Sequence, residues 1–330
     1  MDKEDIQGWT ALHFAALMGH AKVIEILLAA EADVDKRTDD GSTPLHLAAA
    51  GGHDKSIEIL LSAGSKVDKS NCGTTALHFA ADGGHDKAIE ALLNGDAVVN
   101  LVDEIGKTPL YRAAQQKHFK AIEILLKAEA KVTSRHGEGK TTLHHAALNG
   151  NVEVIEILLS AKAEVDKQDA YGWTALHCAA HNGNIEVTKI LLNAKANVDK
   201  QNEAGCTALH VAATGGYGEV IEILLNAKAD VNRQDRRGWT ALHCAALRGN
   251  AEVIEILAGA KADMNQVDES GWTALHYAAS EGNSNVVRIL LDANVEVNKR
   301  NIDGLTALEC ATLDSHDDVI EMLAEAGKAQ

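Results

Sequence analysis

A tetrad of the form Thr-x-Leu-His, or a close variant of it, starts at Thr10, Thr43, Thr75, Thr108, Thr141, Thr174, Thr207, Thr240, Thr273 and Thr306. Every interval is 33 residues except the 32 between Thr43 and Thr75. A chain of 330 residues would ordinarily divide into two or three domains with separate cores. A period running from end to end points instead to one supersecondary unit stacked many times. The missing residue falls in Lys69-Ser70-Asn71-Cys72-Gly73. A loop absorbs that deletion, whereas a helix would have rotated its apolar face.

Two residues before each Thr stands a glycine, from Gly8 and Gly41 through to Gly304, which implies a turn that needs positive φ. A second glycine follows nine residues after the Thr, with Lys117 and Ser315 the exceptions, and marks a break between two short helices. Next comes Val-Ile-Glu-Ile-Leu-Leu or a variant, as at 154–159, with apolar residues at helical spacing. Each unit therefore reads as turn, short helix, tight loop, second helix and a return through Ala-Asp-Val-Asp or Ala-Asp-Val-Asn. No single unit can bury its own apolar stripe, so stability is roughly a sum of unit and interface contributions.

Thr-Pro-Leu-His-Leu-Ala-Ala at 43–49, and Thr-Ala-Leu-His-x-Ala-Ala in most other copies, resemble the ankyrin repeat. The resemblance covers essentially the whole chain. It implies an all-α repeat fold, an ankyrin-repeat solenoid of ten helix-turn-helix units with β-hairpin-like connecting turns. Residues 1–330 are then a single domain, with repeats at about 1–37, 38–69, 70–102, 103–135, 136–168, 169–201, 202–234, 235–267, 268–300 and 301–330, the last a C-terminal cap. Proline follows the Thr only at Pro44 and Pro109; it suits the first helical position without being required there.

Asp and Glu total 48 against 31 Lys and Arg, a formal net charge of −17 that repels a phosphate backbone, so nucleic acid is not an expected partner. No apolar run is long enough to span a bilayer and no signal-peptide pattern is present, so no membrane insertion is expected. Cys72, Cys178, Cys206, Cys244 and Cys310 are an odd set without a Cys-x-x-Cys pair, which reads as reduced thiols in a cytoplasmic setting. Eight histidines occupy the tetrad, and five (His20, His53, His85, His118 and His316) follow the second-glycine position. The resemblance implies that tetrad histidines hydrogen-bond the Thr hydroxyl and nearby loop backbone. Only His136, His145 and His181 lie outside the pattern, and their spacing is not that of metal ligands. Gly-Lys-Thr at 139–141 ends like a phosphate-binding loop, but Ser134 stands where the leading glycine belongs. No cofactor, metal or catalytic residue is therefore expected, and the chain does not read as an enzyme.

By the same resemblance, a partner protein is gripped on the concave side by the turn tips and the exposed face of each first helix. Trp9, Trp173, Trp239 and Trp272 each stand directly before a Thr, at a tip. Trp173, Trp239 and Trp272, with Tyr171, Arg236, Arg237, Arg248 and His181, form a candidate aromatic and basic patch of the kind that dominates binding energy. On an acidic protein, such a patch points to an acidic partner segment. The other reading is that each Trp packs over the next turn and stiffens the row of tips. A second candidate patch is Tyr111, which replaces a tetrad His, with Arg112, Gln115, Gln116, Lys117 and His145. Glu25, Glu58, Glu90 and five equivalents fall at one position of the second helix and read as a solvated outer face.

Repeat ten carries Glu309, Thr312, Ser315 and Ala324 at otherwise regular positions, as suits a cap. Repeat one keeps its apolar residues, so its outer side reads as uncapped: an excised piece, a missing neighbour or a self-association surface. The expected function is that of a scaffold or adaptor, possible in the cytosol of a host if delivered there. The alternative is the recognition arm of a larger enzyme, channel or secreted bacterial effector whose active segment lies elsewhere. Asn100, Asn232, Asn265 and Asn298 also resemble the return-turn position hydroxylated in many ankyrin repeats.

Overall fold

The computed structural model describes residues 2–328. These residues form twenty helices, two per repeat, and one two-stranded hairpin that pairs Arg135–His136 with Lys140–Thr141. They group into two compact units, 2–146 with Asn151–Glu164 and Ala147–Gly150 with 165–328. Within each unit the first helices of successive repeats pack side by side, and so do the second helices.

Why the first helix starts where it does is visible at Thr240. The residue is extended at φ −102° and ψ 170° and caps Ala241–Arg248, and the His243 ring reaches back to the cap. Thr240 N–H donates to His243 Nδ1 at 3.0 Å, which satisfies a donor that the helix leaves over. Glutamate or glutamine ordinarily fills that third position, and repeat ten uses Glu309, whose Oε2 accepts from Thr306 N–H at 2.7 Å. The departure at Glu309 thus keeps the same cap with different chemistry.

The core is built from small and aliphatic residues at fixed offsets. In repeat seven, Leu209, Ala212 and Ala213 of Ala208–Gly215 and Ile221 and Leu224 of Gly218–Asn226 are all buried. Alanine pairs allow close helix approach, and the Ile and Leu rows supply the apolar area withdrawn from water. The eight glutamates at one position of the second helix are all exposed.

Hydrogen bonds tie successive repeats at the loop between the helices. His53 Nε2 donates to Leu17 O at 2.9 Å, His316 Nε2 to Ser280 O at 2.8 Å, and Asn250 Nδ2 to Ala213 O at 2.8 Å. Histidine and asparagine are interchangeable there because each offers an N–H donor at the same reach. These carbonyls end a first helix and would otherwise lack a partner.

The turn tips are less strand-like than the sequence implies. Beyond the Arg135–Thr141 hairpin, the described residues contain one isolated bridge, Asn71 with Thr74. Other tips close around a buried Asp or Asn: Asp235 Oδ1 accepts from Arg237 N–H at 2.8 Å and Trp239 N–H at 2.9 Å. One backbone bond then links each tip of repeats six to nine to the next, as from Glu269 N–H to Arg237 O at 3.0 Å.

Gly238 sits inside this seam at φ +79°, where a Cβ would lie 2.8 Å from the Glu269 backbone nitrogen. Gly304 has nearly the same φ, +77°, with open space around it. Gly304→Ala is therefore expected to cost about 1–2 kcal/mol from left-handed strain alone. Gly238→Ala should cost at least about 1 kcal/mol more because a backbone must also shift. Parallel urea melts check the order, and equal losses would refute it.

In repeat one, Phe14, Met18, Val23 and Ile26 are exposed. No helix among the described residues is long and apolar enough to cross a membrane.

Candidate functional site

The tetrad histidines are scaffold. In all eight, the Thr N–H donates to Nδ1, which places the proton of the neutral ring on Nε2. His177, His210 and His276 then donate from Nε2 to Cys206 O, Trp239 O and Leu305 O, at 3.0, 2.9 and 3.1 Å. Each therefore joins its helix cap to the next tip. Burial lowers the pKa of His13, His78, His210, His243 and His276. His46 differs: its buried Nε2 has no hydrogen-bond partner, and the loop ahead of it is the one a residue short. Burial lowers it to about 4.

Repeats four and five carry a related exchange. Elsewhere the tip residue five before the Thr is usually Asp or Asn, but here it is His136, and the tetrad His one repeat earlier is Tyr111. The Tyr111 and His136 rings meet at 3.9 Å between centroids, and His145 stands 4.9 Å from Tyr111. His136 is buried with both ring nitrogens unpartnered, and burial, then His145, lowers it to about 4. Burial also lowers His145, followed by the charges of Lys107 and Lys140.

This packing alters the second candidate patch. Tyr111 is buried rather than lining an open face. Arg112 is held by Asp103, Nη2 to Oδ2 at 2.6 Å. Burial alone would raise the Asp103 carboxyl, but Arg112 and backbone donors outweigh it and hold the group below its ordinary range. Gln115 accepts from Lys107 Nζ, and Gln116 donates to Asp82. Lys117 is exposed at φ +62°.

The first candidate patch is only partly gathered together. Arg237 lies over the Trp239 ring at 4.4 Å and pairs with Asp235 at 3.6 Å. Trp239 and Trp272 hold Tyr277 between them, at 4.7 and 4.9 Å between centroids. Tyr277 Oη donates to Asp268 Oδ2 at 2.6 Å, and burial and that carboxylate push the phenol up. Trp173 meets His181 edge-on at 5.5 Å. Two hollows lie between these groups. One, of ≈ 600 Å³, is lined by Trp173, His181, Tyr217 and Arg248 among others, and the other, of ≈ 270 Å³, by Cys206, Trp239, Cys244, Arg237 and Arg248 among others. Both include Val211, Thr214 and Arg248. Tyr171 is exposed but lines neither, and Arg236 also stands outside them, its N–H bonded to Ala204 O.

The thiols here are poor nucleophiles. Burial, and then Asp235, pushes Cys206 up to about 11, while burial pushes Cys244 up to about 12, so both stay protonated near neutrality. No group of three or more His, Cys, Asp or Glu residues able to hold a metal ion occurs among the described residues.

The family model described as Ankyrin repeats (3 copies) matches residues 1–71, 63–136, 128–202, 194–268 and 255–330. The chain belongs to the ankyrin repeat family. No curated protein matches it. Ankyrin repeats are in general protein–protein interaction modules. Val211, Thr214 and Tyr277 were not singled out in the sequence, and Cys206 was read there only as a reduced thiol. Tip and inner-helix positions of one ankyrin repeat face those of the next.

Proposed function

We propose that this chain is a non-enzymatic scaffold or adaptor that binds another protein through the tips and first helices of repeats six to nine. The partner contributes an acidic segment. The observation that supports this most is the convergence of Trp173, Trp239, Arg237 and Arg248 on two adjoining hollows. Indole and guanidinium groups combine large contact area with directed donors and so dominate binding energy where they are gathered. Arg248 is exposed and makes no ion pair among the described residues, so its charge is available to a carboxylate. The absence of a disulfide among the described residues suits a reducing cytoplasmic setting.

Affinity capture with the whole chain tests the reading. Proteins retained by the parent should be lost from the Trp173, Trp239 and Trp272 triple alanine variant. Once one is purified, Trp239→Ala should weaken it by about 2 kcal/mol or more with unchanged circular dichroism. An identical set of captured proteins on parent and triple variant would reject this surface.

A further inference from the structure

The tip residue directly before the Thr is Trp173 in repeat six, Trp239 in repeat eight and Trp272 in repeat nine, but Cys206 in repeat seven. The row of large tips is broken at one place. Behind the break the side chains are small as well. Val211 and Cys244 occupy the helix position where repeat nine has Tyr277 and repeat four Arg112, each of which reaches its own tip carboxylate. Thr214 and Gly215 stand where repeat six has His181 and Asn182. The smaller hollow is the space these substitutions leave, and the larger one continues it toward Trp173.

Resting on the proposed function, we infer that this break is a notch that takes one large apolar side chain from an acidic polypeptide segment, with flanking carboxylates meeting Arg248 and Arg237. Size and charge both select this occupant. An apolar cavity of about 150 Å³ holds a benzene molecule. At ≈ 270 Å³ the notch therefore has room for Leu, Met or Phe. Arg248 borders both hollows, within reach of acidic residues on either side of the anchor. The one buried carboxylate on the wall, Asp235, is already met by two backbone N–H groups and by Arg237, which limits its repulsion of an acidic ligand. Cys206 Sγ faces that carboxylate at 3.8 Å, and its protonated thiol leaves the wall without a second negative charge.

The test restores to repeat seven the residue its neighbours carry. Cys206→Trp fills the notch with a side chain that the same tip position holds in repeats six, eight and nine, so folding is preserved, as circular dichroism and melting will show. The probe is a panel of labelled synthetic peptides, each with one Leu, Met or Phe inside a run of Glu and Asp, read by fluorescence anisotropy. Counterparts carry Ala at the apolar place or Lys at the acidic ones. The parent should bind the acidic peptides with an anchor, and lose about tenfold or more in affinity for either counterpart. Cys206→Trp should lose about thirtyfold, as blocking a hot-spot pocket would. Cys206→Ser, which leaves the notch open, should stay within about twofold of the parent. Failure of the parent to bind any peptide of the panel overturns the occupant. Unchanged binding by Cys206→Trp overturns the notch. If in the latter case Trp239→Ala and Arg248→Ala still lose binding, the surface of the proposed function stands without the notch.

Discussion

Replacing Leu242 by alanine is expected to lower the free energy of unfolding by about 2–5 kcal/mol, the range for emptying a fully buried leucine site. Leu242 belongs to Ala241–Arg248, is 1% exposed, and points into the layer where first and second helices of repeat eight meet. The other buried apolar residues on the two short helices of repeat eight are Ala241, Cys244, Ala245, Ala246, Val253, Ile254 and Leu257, too short or too fixed to swing inward and refill the space. Because each repeat leans only on its neighbours, the damage should be local, broadening the urea transition as well as moving its midpoint. Circular dichroism at increasing urea measures both. A loss below about 1 kcal/mol would mean that the repeats collapse around the void, contrary to close packing.

Acid should weaken the fold through two buried histidines. His46 and His136 titrate at about 4 when folded, against an ordinary value of 6.5. A lowered folded value means that the native state prefers the neutral ring while the unfolded chain takes up a proton near 6.5. Their contribution is therefore complete above about pH 6.5 and is lost as pH falls toward 4, each ring costing about 2 kcal/mol by pH 5. Lowering the pH also relieves repulsion among the excess acidic residues, which works in the opposite direction. A matched comparison removes that background. His136→Asn supplies the side chain that caps this turn in repeats seven and ten, so its urea midpoint should fall less than the parent's between pH 7.5 and pH 5. Equal falls in parent and variant would refute the assignment to His136.

The repeat architecture was legible because its determinants are local and recur ten times over. A Thr and a His three residues apart fix a helix cap, and a glycine two residues earlier fixes a turn, whatever lies further along the chain. The thirteen periodic histidines were read as scaffold for that reason, and the bonds of His53, His210 and His276 agree. Tyr111 was harder, because its burial depends on His136, which lies in the following tip. Read alone, a tyrosine in place of a tetrad histidine looks like an exposed contact. The notch was harder still. It follows from three small residues, Cys206, Val211 and Cys244, becoming neighbours across two repeats, and each is unremarkable by itself. Large residues announce a surface in a sequence, whereas a gap shows only when the neighbours are in place.

The bonds that join one loop to the carbonyls behind it have a consequence for how such a chain changes length. Within each compact unit, a side-chain donor meets the carbonyls of the preceding repeat at most of the equivalent junctions, whether the donor is His53, Asn250 or His316. Excising or inserting a whole 33-residue module then rejoins matching edges, so recombination between copies yields folded products. Tyr111 and His136 are the exception, since each fits only the other. A crossover that separated them would leave mismatched edges, which makes that junction a poor place for exchange.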